Sequence, residues 1–324
     1  MLHTTKTALY SAIGILLLIL CVSLQINAQV VDSSNHQGWE RKTIFSKLLN
    51  ENRKINIQLP TGLNPYDKYP VLYVLDGEAL TSMVVGQVNY LSESYKIIPK
   101  LIIVTIENTD RTRDLTPTHS IIGPDGKPDT SINAFGKRSG GGEHFLQFIK
   151  EELMPYIEKQ YPAERFKILA GHSLGGLMAI HCLINHPDYF NAYIAISPSL
   201  QWDSNATIND ALAKATKWTD TNKILFFSDA NEDALFHQNQ VNLDTIFSSH
   251  YNKGLQYKRL FYPEETHVSE PIKAFYDGMR FVYPNWHLPY NSSAFRKTMR
   301  SKMIIDHYTS LSKIDGYKVS PLHD

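Results

Sequence analysis

The sequence is poor in cysteine and carries no excess charge of either sign. Its 324 residues include two cysteines, Cys21 and Cys182, which excludes a disulfide scaffold and a cysteine-rich zinc module. The neighbours of Cys182 are apolar, so we expect its side chain to be buried. Lysine plus arginine and aspartate plus glutamate both number 32, so the net charge gives no electrostatic basis for nucleic-acid binding. No fixed-period repeat is present, which argues against solenoids and propellers, and 43% hydrophobic residues suffice for a sizeable core.

One long hydrophobic run occurs, and it lies at the N-terminus. No charged residue separates Lys6 from Asp32, and residues 12–24 read AIGILLLILCVSL. This run is shorter than the roughly 20 residues of a membrane-spanning helix. It therefore predicts a signal peptide over residues 1–28, cleaved after Ala28, rather than a permanent anchor. The mature chain is then expected to be exported, to the periplasm or the medium, without stable membrane insertion.

Short strands alternate with helices along the rest of the chain. Period-two alternation and short apolar runs predict strands at 54–59, 71–75, 101–106, 166–170, 193–196, 223–227 and 257–261. Helical spacing predicts helices at 143–160 (kinked by Pro155), 175–185, 235–250 and 293–312. A polar segment rich in glycine and proline predicts a long excursion at 107–142. This order predicts an α/β fold, with a mostly parallel sheet covered by helices on both faces. We expect one large domain at 29–290 and a helical appendage at 291–324.

The segment GHSLGG at residues 171–176 carries the clearest chemical signal. It is a G-x-S-x-G pattern between a predicted strand and a predicted helix. In that setting the serine occupies a strained turn with its hydroxyl aimed out of the sheet. Gly171 and Gly175 let the strand and the helix approach each other. A glycine-rich phosphate loop is the alternative, but the segment has neither G-x-x-x-x-G-K-[ST] nor G-x-G-x-x-G. We therefore predict that Ser173 is a nucleophile.

A base must take the proton of Ser173, and in this fold it follows the serine in the chain. His267 comes shortly after the strand predicted at 257–261 and just before a further predicted helix. This position puts it at the carboxyl end of the sheet, where ligands bind in open α/β folds. We therefore favour His267, with His237 as the main rival and His287 as a weaker one.

The third group is a carboxylate that accepts the second ring proton of the histidine and stabilises the imidazolium. We expect it just after the strand at 223–227, where Asp229, Glu232 and Asp233 are the candidates. Glu232 is our first choice and Asp233 the second.

Two backbone N–H groups are needed to stabilise the oxyanion of the tetrahedral intermediate. One is expected from Leu174, which directly follows the serine at the start of a helix. The other is expected from Gly77 or Glu78, in the turn after the strand at 71–75. An ordinary tight turn is the alternative interpretation of that segment.

Five segments together resemble the putative esterase family of the α/β-hydrolase fold. They are LYVLDG at 72–77, RTRDLTP at 111–117, GHSLGG at 171–176, SPSLQW at 197–202 and TH at 266–267. The family includes siderophore-ester hydrolases, feruloyl and acetyl-xylan esterases, S-formylglutathione hydrolases and mycolyl transferases. The resemblance implies an esterase domain with a Ser173–acid–His267 triad, and an oxyanion hole at Gly77, Glu78 and Leu174. It leaves the acid open, because the family's acid varies in type and position.

Two further residues and the C-terminal tail are interpreted through this resemblance. Trp202 is expected near the substrate pocket, or else as a packing aromatic. Arg111 either meets an anionic substrate or, with Arg113, forms the ion pairs that shape the long loop, and we favour the ion pairs. The tail resembles the start of a helical extension and ends soon after Gly316, so it is either vestigial or truncated.

These residues together predict an exported serine carboxylic-ester hydrolase that forms an acyl-enzyme on Ser173. Its substrate is expected to be a small-molecule or glycan-linked ester. We expect no metal, no organic cofactor and no nucleic-acid partner, since the histidines show no metal-ligand spacing. Two alternatives are an acyltransferase on the same triad, where an alcohol replaces water, and a non-catalytic binding protein that keeps the fold.

Overall fold

The computed structural model describes residues 38–123, 126–215, 218, 222–251, 254–286 and 301–319, and these form one eight-stranded sheet with its helices. The strands are β1 Glu40–Ser46, β2 Glu51–Gln58, β3 Tyr69–Val74, β4 Ile102–Ile106, β5 Ala163–His172, β6 Ala192–Ile196, β7 Lys223–Ala230 and β8 Leu255–Tyr262. Their order across the sheet is β1-β2-β4-β3-β5-β6-β7-β8. The pairs β1–β2 and β2–β4 are antiparallel, and the remaining pairs are parallel. The predicted α/β class is therefore confirmed.

All the predicted strands are present, but the sequence did not predict β1. This strand lies at the edge of the sheet and pairs with β2 from Glu40↔Ile57 to Ser46↔Glu51. Within it only Ile44 and Ser46 are buried. An edge strand that exposes most of its side chains lacks the apolar pattern that identifies the inner strands.

Helices cover both faces of the sheet. They are α1 Gly77–Asn89, α2 Arg111–Asp114, α3 Gly142–Phe148, α4 Met154–Gln160, α5 Leu174–Asn185, α6 Trp202–Lys214, α7 Ala234–His250, α8 Glu270–Val282 and α9 Ser301–Asp315. One face packs against side chains of α3–α7 and the other against α1, α8 and α9. Alternate residues of each strand supply the two cores, as with Tyr73 and Leu72 of β3. Cys182 of α5 is buried in the first core, as predicted.

The predicted helices are present with changed details. The helix expected at 143–160 consists of α3 and α4, joined by a π-helical turn at Ile149–Leu153. Pro155 therefore lies in the first turn of α4, where proline is tolerated. The helices α1, α2 and α6 were not predicted. Of the helix expected at 293–312, the described part is α9, and residues 291–300 lie outside the described residues.

Ion pairs attach the start of the long segment 107–142 to β2. Arg53 is fully buried, and its Nη1 lies 2.5 Å from Asp114 Oδ2 and 2.9 Å from Glu51 Oε1. Arg113 binds the same two carboxylates, with Nη2 2.6 Å from Glu51 Oε1 and Nε 2.7 Å from Asp114 Oδ1. Arg113 thus makes the ion pairs that were favoured for it, and they hold the segment beside the sheet.

Several predictions concern the two ends of the chain. The signal peptide at 1–28 and His287 lie outside the described residues. Among the helices that the structure describes, none has both the length and the apolar character needed to cross a bilayer. Leu311 of α9 belongs to the same apolar core as Phe275 of α8. The division into a domain at 29–290 and an appendage at 291–324 stays a prediction.

Candidate active site

Ser173 forms a sharp turn between β5 and α5, called the elbow below. Its backbone has φ 60° and ψ −117°, a conformation that is costly for a residue with a side chain. A Cβ on Gly171 would lie 2.4 Å from the backbone of Gly175, and one on Gly176 would lie 2.9 Å from the Ile196 carbonyl oxygen. Glycine at these positions is therefore required for β5, α5 and β6 to approach one another. The steric reasoning from the G-x-S-x-G pattern agrees with this geometry.

The Ser173 hydroxyl lies at the carboxyl edge of the sheet. Its Oγ is 3.2 Å from Ser199 Oγ, and the N–H of Ser199 donates to the Ser173 carbonyl at 3.1 Å. In the described part of the chain, the hydroxyl is hydrogen-bonded to Ser199 and not to His267. Catalytic hydrogen bonds are often long before substrate binds, so this arrangement is compatible with a nucleophile at rest.

The ring of His267 lies against the elbow that carries Ser173. Its centroid lies 4.5 Å from that of the ring of His172, the neighbour of Ser173, with the two ring planes tilted by 42°. Phe236, in the first turn of α7, contacts it edge-on at 5.6 Å. Burial, with a smaller effect from the charge of His267, lowers the pKa of His172 to about 4. His172 is therefore neutral at neutral pH and adds no positive charge beside His267.

Glu232 is the carboxylate that contacts His267. Its Oε2 lies 3.0 Å from His267 Nδ1, and its side chain is 9% exposed. The register of the sheet explains this meeting, because β7 and β8 end side by side at Ala230↔Tyr262. The N–H of Asn231 then donates to the Glu265 carbonyl at 3.0 Å, which ties together the two loops that follow these strands.

The other two candidate acids have different partners. Asp233 caps α7, accepting a hydrogen bond from the Phe236 N–H at 2.9 Å. Asp229 is fully buried, 2.5 Å from His237 Nδ1 and 2.8 Å from Arg259 Nη2. His237, the rival base, is thus paired with Asp229 and lies apart from Glu232 in this network.

The predicted oxyanion donors lie at the starts of two neighbouring helices. Gly77 and Glu78 are the first two residues of α1, and Leu174 is the first of α5. The first N–H groups of a helix have no partner within it and carry partial positive charge. A Cβ on Gly175 would lie 3.3 Å from Asp76 Oδ2, so the two helix starts are in contact. This pair of N-termini is suited to bind an anionic oxygen.

Arg111 joins the same two segments from outside. Its Nε and Nη2 lie 2.7 Å and 2.9 Å from the carboxylate oxygens of Asp76. Its Nη2 also lies 3.5 Å from the His172 carbonyl. The guanidinium therefore has an ion-pair partner, and contact with a substrate would have to come from its exposed part, since 37% of the side chain is exposed.

Trp202 lies between the Ser-Pro-Ser segment and the long loop. Its Nε1 donates to the Thr118 carbonyl at 3.1 Å, and Phe135 contacts its ring edge-on at 6.3 Å. Phe135 is itself 63% exposed, and Val268, the neighbour of His267, is 85% exposed. The rim of the site thus carries exposed apolar side chains from two different loops.

Sequence reasoning missed three polar residues behind the site: Ser197, Ser199 and Glu270. The two serines belong to the SPSLQW segment and follow directly after β6, and that position at the carboxyl edge was an available signal. Glu270 is the first residue of α8, where an acidic residue is unremarkable in sequence. Nothing in the pattern indicated that its side chain is buried. In the described residues, no group of three or more His, Cys, Asp or Glu side chains is arranged to hold a metal ion.

The known proteins with similar sequences include esterases that are named for siderophores. The ferri-bacillibactin esterase BesA of Bacillus subtilis (strain 168) is 33% identical over 177 residues, which are 51% of this chain and 60% of that protein. The siderophore enterobactin esterase of Emericella nidulans is 33% identical over 147 residues, 42% of this chain and 46% of that protein. The chain therefore spans about half the length of the curated relatives it matches.

The fold is shared with a solved hydrolase over most of both chains. The crystal structure of an IroE-like serine hydrolase from Shewanella oneidensis has a TM-score of 0.79 and 33% sequence identity, and the match covers 87% of this chain and 90% of that one. The profile of the family described as putative esterase matches residues 46–244, more than half of the chain. With the sheet order, the elbow and these similarities in agreement, the chain belongs to the putative esterase family, and its fold is that of the α/β-hydrolases.

Proposed function

We propose that the protein is a serine carboxylic-ester hydrolase. The observation that carries this proposal is the hydrogen bond of 3.0 Å between Glu232 and His267, with the His267 ring against the elbow of Ser173. A nucleophile, a base and a carboxylate that orients the base then follow one another across the carboxyl edge of the sheet. The esterase relatives and the serine hydrolase from Shewanella oneidensis support the same reaction class.

The reaction begins at Ser173. Its Oγ attacks the ester carbonyl carbon while its proton passes to Nε2 of His267, and Glu232 stabilises the imidazolium through Nδ1. The negative charge moves to the carbonyl oxygen, where the N–H of Leu174 and an N–H of Gly77 or Glu78 stabilise it. Collapse of this intermediate breaks the ester bond.

The remaining steps release first the alcohol and then the acid. His267 gives its proton to the departing alkoxide, which leaves as an alcohol, and the acyl group remains on Ser173. A water molecule then attacks the acyl carbonyl, with His267 again taking a proton. Loss of the acyl group as a carboxylic acid returns the proton to Ser173 Oγ.

The substrate class follows from the relatives and the rim of the site. We infer a small-molecule ester, with siderophore esters as the first class to test, because two relatives are named for such substrates. The exposed Phe135 and Val268 would contact an apolar or aromatic acyl group. A glycan-linked ester is the alternative.

We also infer export, from the signal-peptide pattern in residues 1–28.

Labelling with a fluorophosphonate tests the nucleophile directly, because the reagent needs an activated serine. We expect the wild-type protein to be labelled and Ser173→Ala to be unlabelled. Ser248→Ala is the matched control, since this serine is exposed on α7, where its Oγ donates to the Thr245 carbonyl. Ser173→Ala should also lower kcat/KM on a small aryl acetate about a thousandfold or more.

The outcome separates the candidate functions. Activity of Ser173→Ala within tenfold of wild type would contradict the assignment of the nucleophile. A wild-type protein that is not labelled at all would favour the binding protein. Labelling with acyl transfer to an added alcohol, but no hydrolysis of aryl, feruloyl or catecholate siderophore esters, would favour the acyltransferase.

A further inference from the structure

Behind the proposed triad lies a second carboxyl group, that of Glu270. It is the first residue of α8, three positions after His267, and it is fully buried. The proposed mechanism gives this group no role. A buried carboxyl is costly unless it is paired or neutral, so its surroundings need an explanation.

The hydroxyl of Ser197 connects Glu270 to Glu232. Ser197 Oγ lies 2.5 Å from Glu232 Oε1 and is also hydrogen-bonded to Glu270 Oε2. A hydroxyl has a single proton and can donate to one of two carboxylates. Both hydrogen bonds therefore form together only if one carboxyl is protonated and donates to Ser197.

The proton belongs on Glu270. Glu232 accepts from His267 Nδ1 and its side chain is 9% exposed, whereas Glu270 is fully buried, so the negative charge is better stabilised on Glu232. Burial raises the pKa of Glu270 to about 7, and the negative charges of Glu232 and of Asp229 on β7 raise it further, against the opposing effect of nearby hydroxyls. Tyr262 of β8 also faces this group, and its phenol is neutral at neutral pH, since burial raises its pKa.

We propose that Glu270 is a positioning residue: its protonated carboxyl donates to Ser197, and Ser197 then donates to Glu232, which fixes the carboxylate that orients His267. This inference rests on the proposed esterase function. The complete hydrogen-bond chain runs from Glu270 through Ser197 to Glu232, and His267 donates to Glu232 from the other side. In this state Glu232 carries the negative charge that directly contacts the base.

Loss of the Glu270 proton weakens this hydrogen-bond chain and favours the protonated form of His267. Ser197 then has one proton for two carboxylates, and a second negative charge appears behind Glu232. That charge stabilises the imidazolium of His267, so His267 holds its proton to a higher pH. As the pH rises, ionisation of Glu270 makes His267 harder to deprotonate. The loss of the His267 proton is therefore spread over a broader pH range than for an isolated group.

The test compares Glu270→Gln and Glu270→Leu with the wild type. Gln still donates to Ser197 but never ionises, whereas Leu does neither. We expect Glu270→Gln to keep kcat near the wild-type value and to move the acid limb of kcat/KM to lower pH, as a single-proton step. Glu270→Leu should show the same displacement of the acid limb to lower pH. It should also lose about fivefold in kcat at unchanged KM, which is the effect of one neutral hydrogen bond. Glu264→Gln is the control, because it removes an exposed carboxylate three positions before His267.

An NMR titration in the Ser173→Ala background gives a readout that needs no activity. The His267 signal is assigned by its loss in His267→Ala. We expect Glu270→Gln to lower the pKa of His267 by about half a unit or more, and Ser197→Ala, which removes a donor from Glu232, to raise it. Shifts of opposite sign would not follow from a merely structural role.

The outcomes distinguish this inference from the proposed function. An active enzyme in which Glu270→Gln leaves both the acid limb and the His267 titration unchanged would overturn the role of Glu270 alone. An inactive, unlabelled wild type with the two opposite NMR shifts would overturn the esterase assignment and leave the proton chain standing. If Glu270→Gln fails to fold, the His267 titration in Ser197→Ala is the deciding measurement. An unchanged or lowered His267 pKa in that variant refutes the hydrogen-bond chain.

Discussion

The burial of Glu270 makes the stability of the protein depend on pH in a way that one substitution should remove. An ordinary glutamate ionises near 4.5, whereas burial raises the pKa of Glu270 to about 7 in the folded protein. Between these pH values the folded protein keeps a proton that the unfolded chain has released. The free energy of unfolding therefore falls as the pH rises through this window, and it is highest, with respect to this group, below pH 4.5.

The size of the effect follows from the two pKa values. At 1.36 kcal/mol per unit, the difference between 4.5 and about 7 corresponds to about 3 kcal/mol, most of which develops between pH 5 and pH 8. The N-terminus of α8 favours the carboxylate by typically 0.3–1 kcal/mol, which leaves about 2 kcal/mol or slightly more. Glu270→Gln cannot ionise, so its stability relative to wild type should increase by about that amount from pH 5 to pH 8.

Urea unfolding of both proteins at the two pH values measures this difference. The free energies are extrapolated to water and compared only where the dependence on urea is the same for both proteins. Glu264→Gln should show no comparable change, since an exposed carboxylate is in water in the folded and the unfolded protein. A constant difference between wild type and Glu270→Gln from pH 5 to pH 8 would show that Glu270 ionises normally, and it would refute the reasoning from burial.

Two further predictions concern the triad and the loop. Glu232→Gln should lower kcat/KM about a hundredfold, roughly 3 kcal/mol, whereas Asp233→Asn and His237→Ala should change it little, as measured on an aryl acetate. A large loss in His237→Ala with an active His267→Ala would show that the base is misplaced. Replacing residues 118–138 by a short linker should change the preference among esters more than the turnover of a small aryl acetate, in a comparison of kcat/KM across substrates. An equal loss on all substrates would indicate a structural role for this segment.

Local patterns were enough to predict the inner sheet and the backbone of the elbow. The inner strands are covered on both faces, so their runs are almost wholly apolar, and β4 is buried at each of its five positions. The elbow was predictable because its requirement is steric and lies within a few residues of Ser173. In contrast, α1 was missed because its first residues, Asp76 to Glu78, have the composition of a turn. Asp76 adopts the left-handed conformation, with φ 59°, before the helix starts.

The carboxylate could not be chosen from the sequence alone, because Asp229, Glu232 and Asp233 lie within one short segment. What separates them is where the chain turns after β7. Asp229 is still within the strand and faces Arg259 on β8, whereas Asp233 has reached the start of α7 and caps it. Glu232 lies between these positions, in the loop that the Asn231 hydrogen bond ties to the loop of His267. That contact depends on the pairing of β7 with β8, and no local pattern encodes it.

Glu270 poses the same difficulty in a stronger form, because its sequence context points to a different role. An acidic residue at the start of a helix is usually exposed and stabilised by the helix N-terminus. Here, however, α8 packs against β6 and β7, and its first turn enters the space beside Ser197 at the end of β6. Partners from the ends of β6 and β7 then decide its protonation. A carboxyl that looks like a helix cap therefore becomes a proton donor once the sheet has formed, and its role follows from the meeting of three chain segments rather than from any one of them.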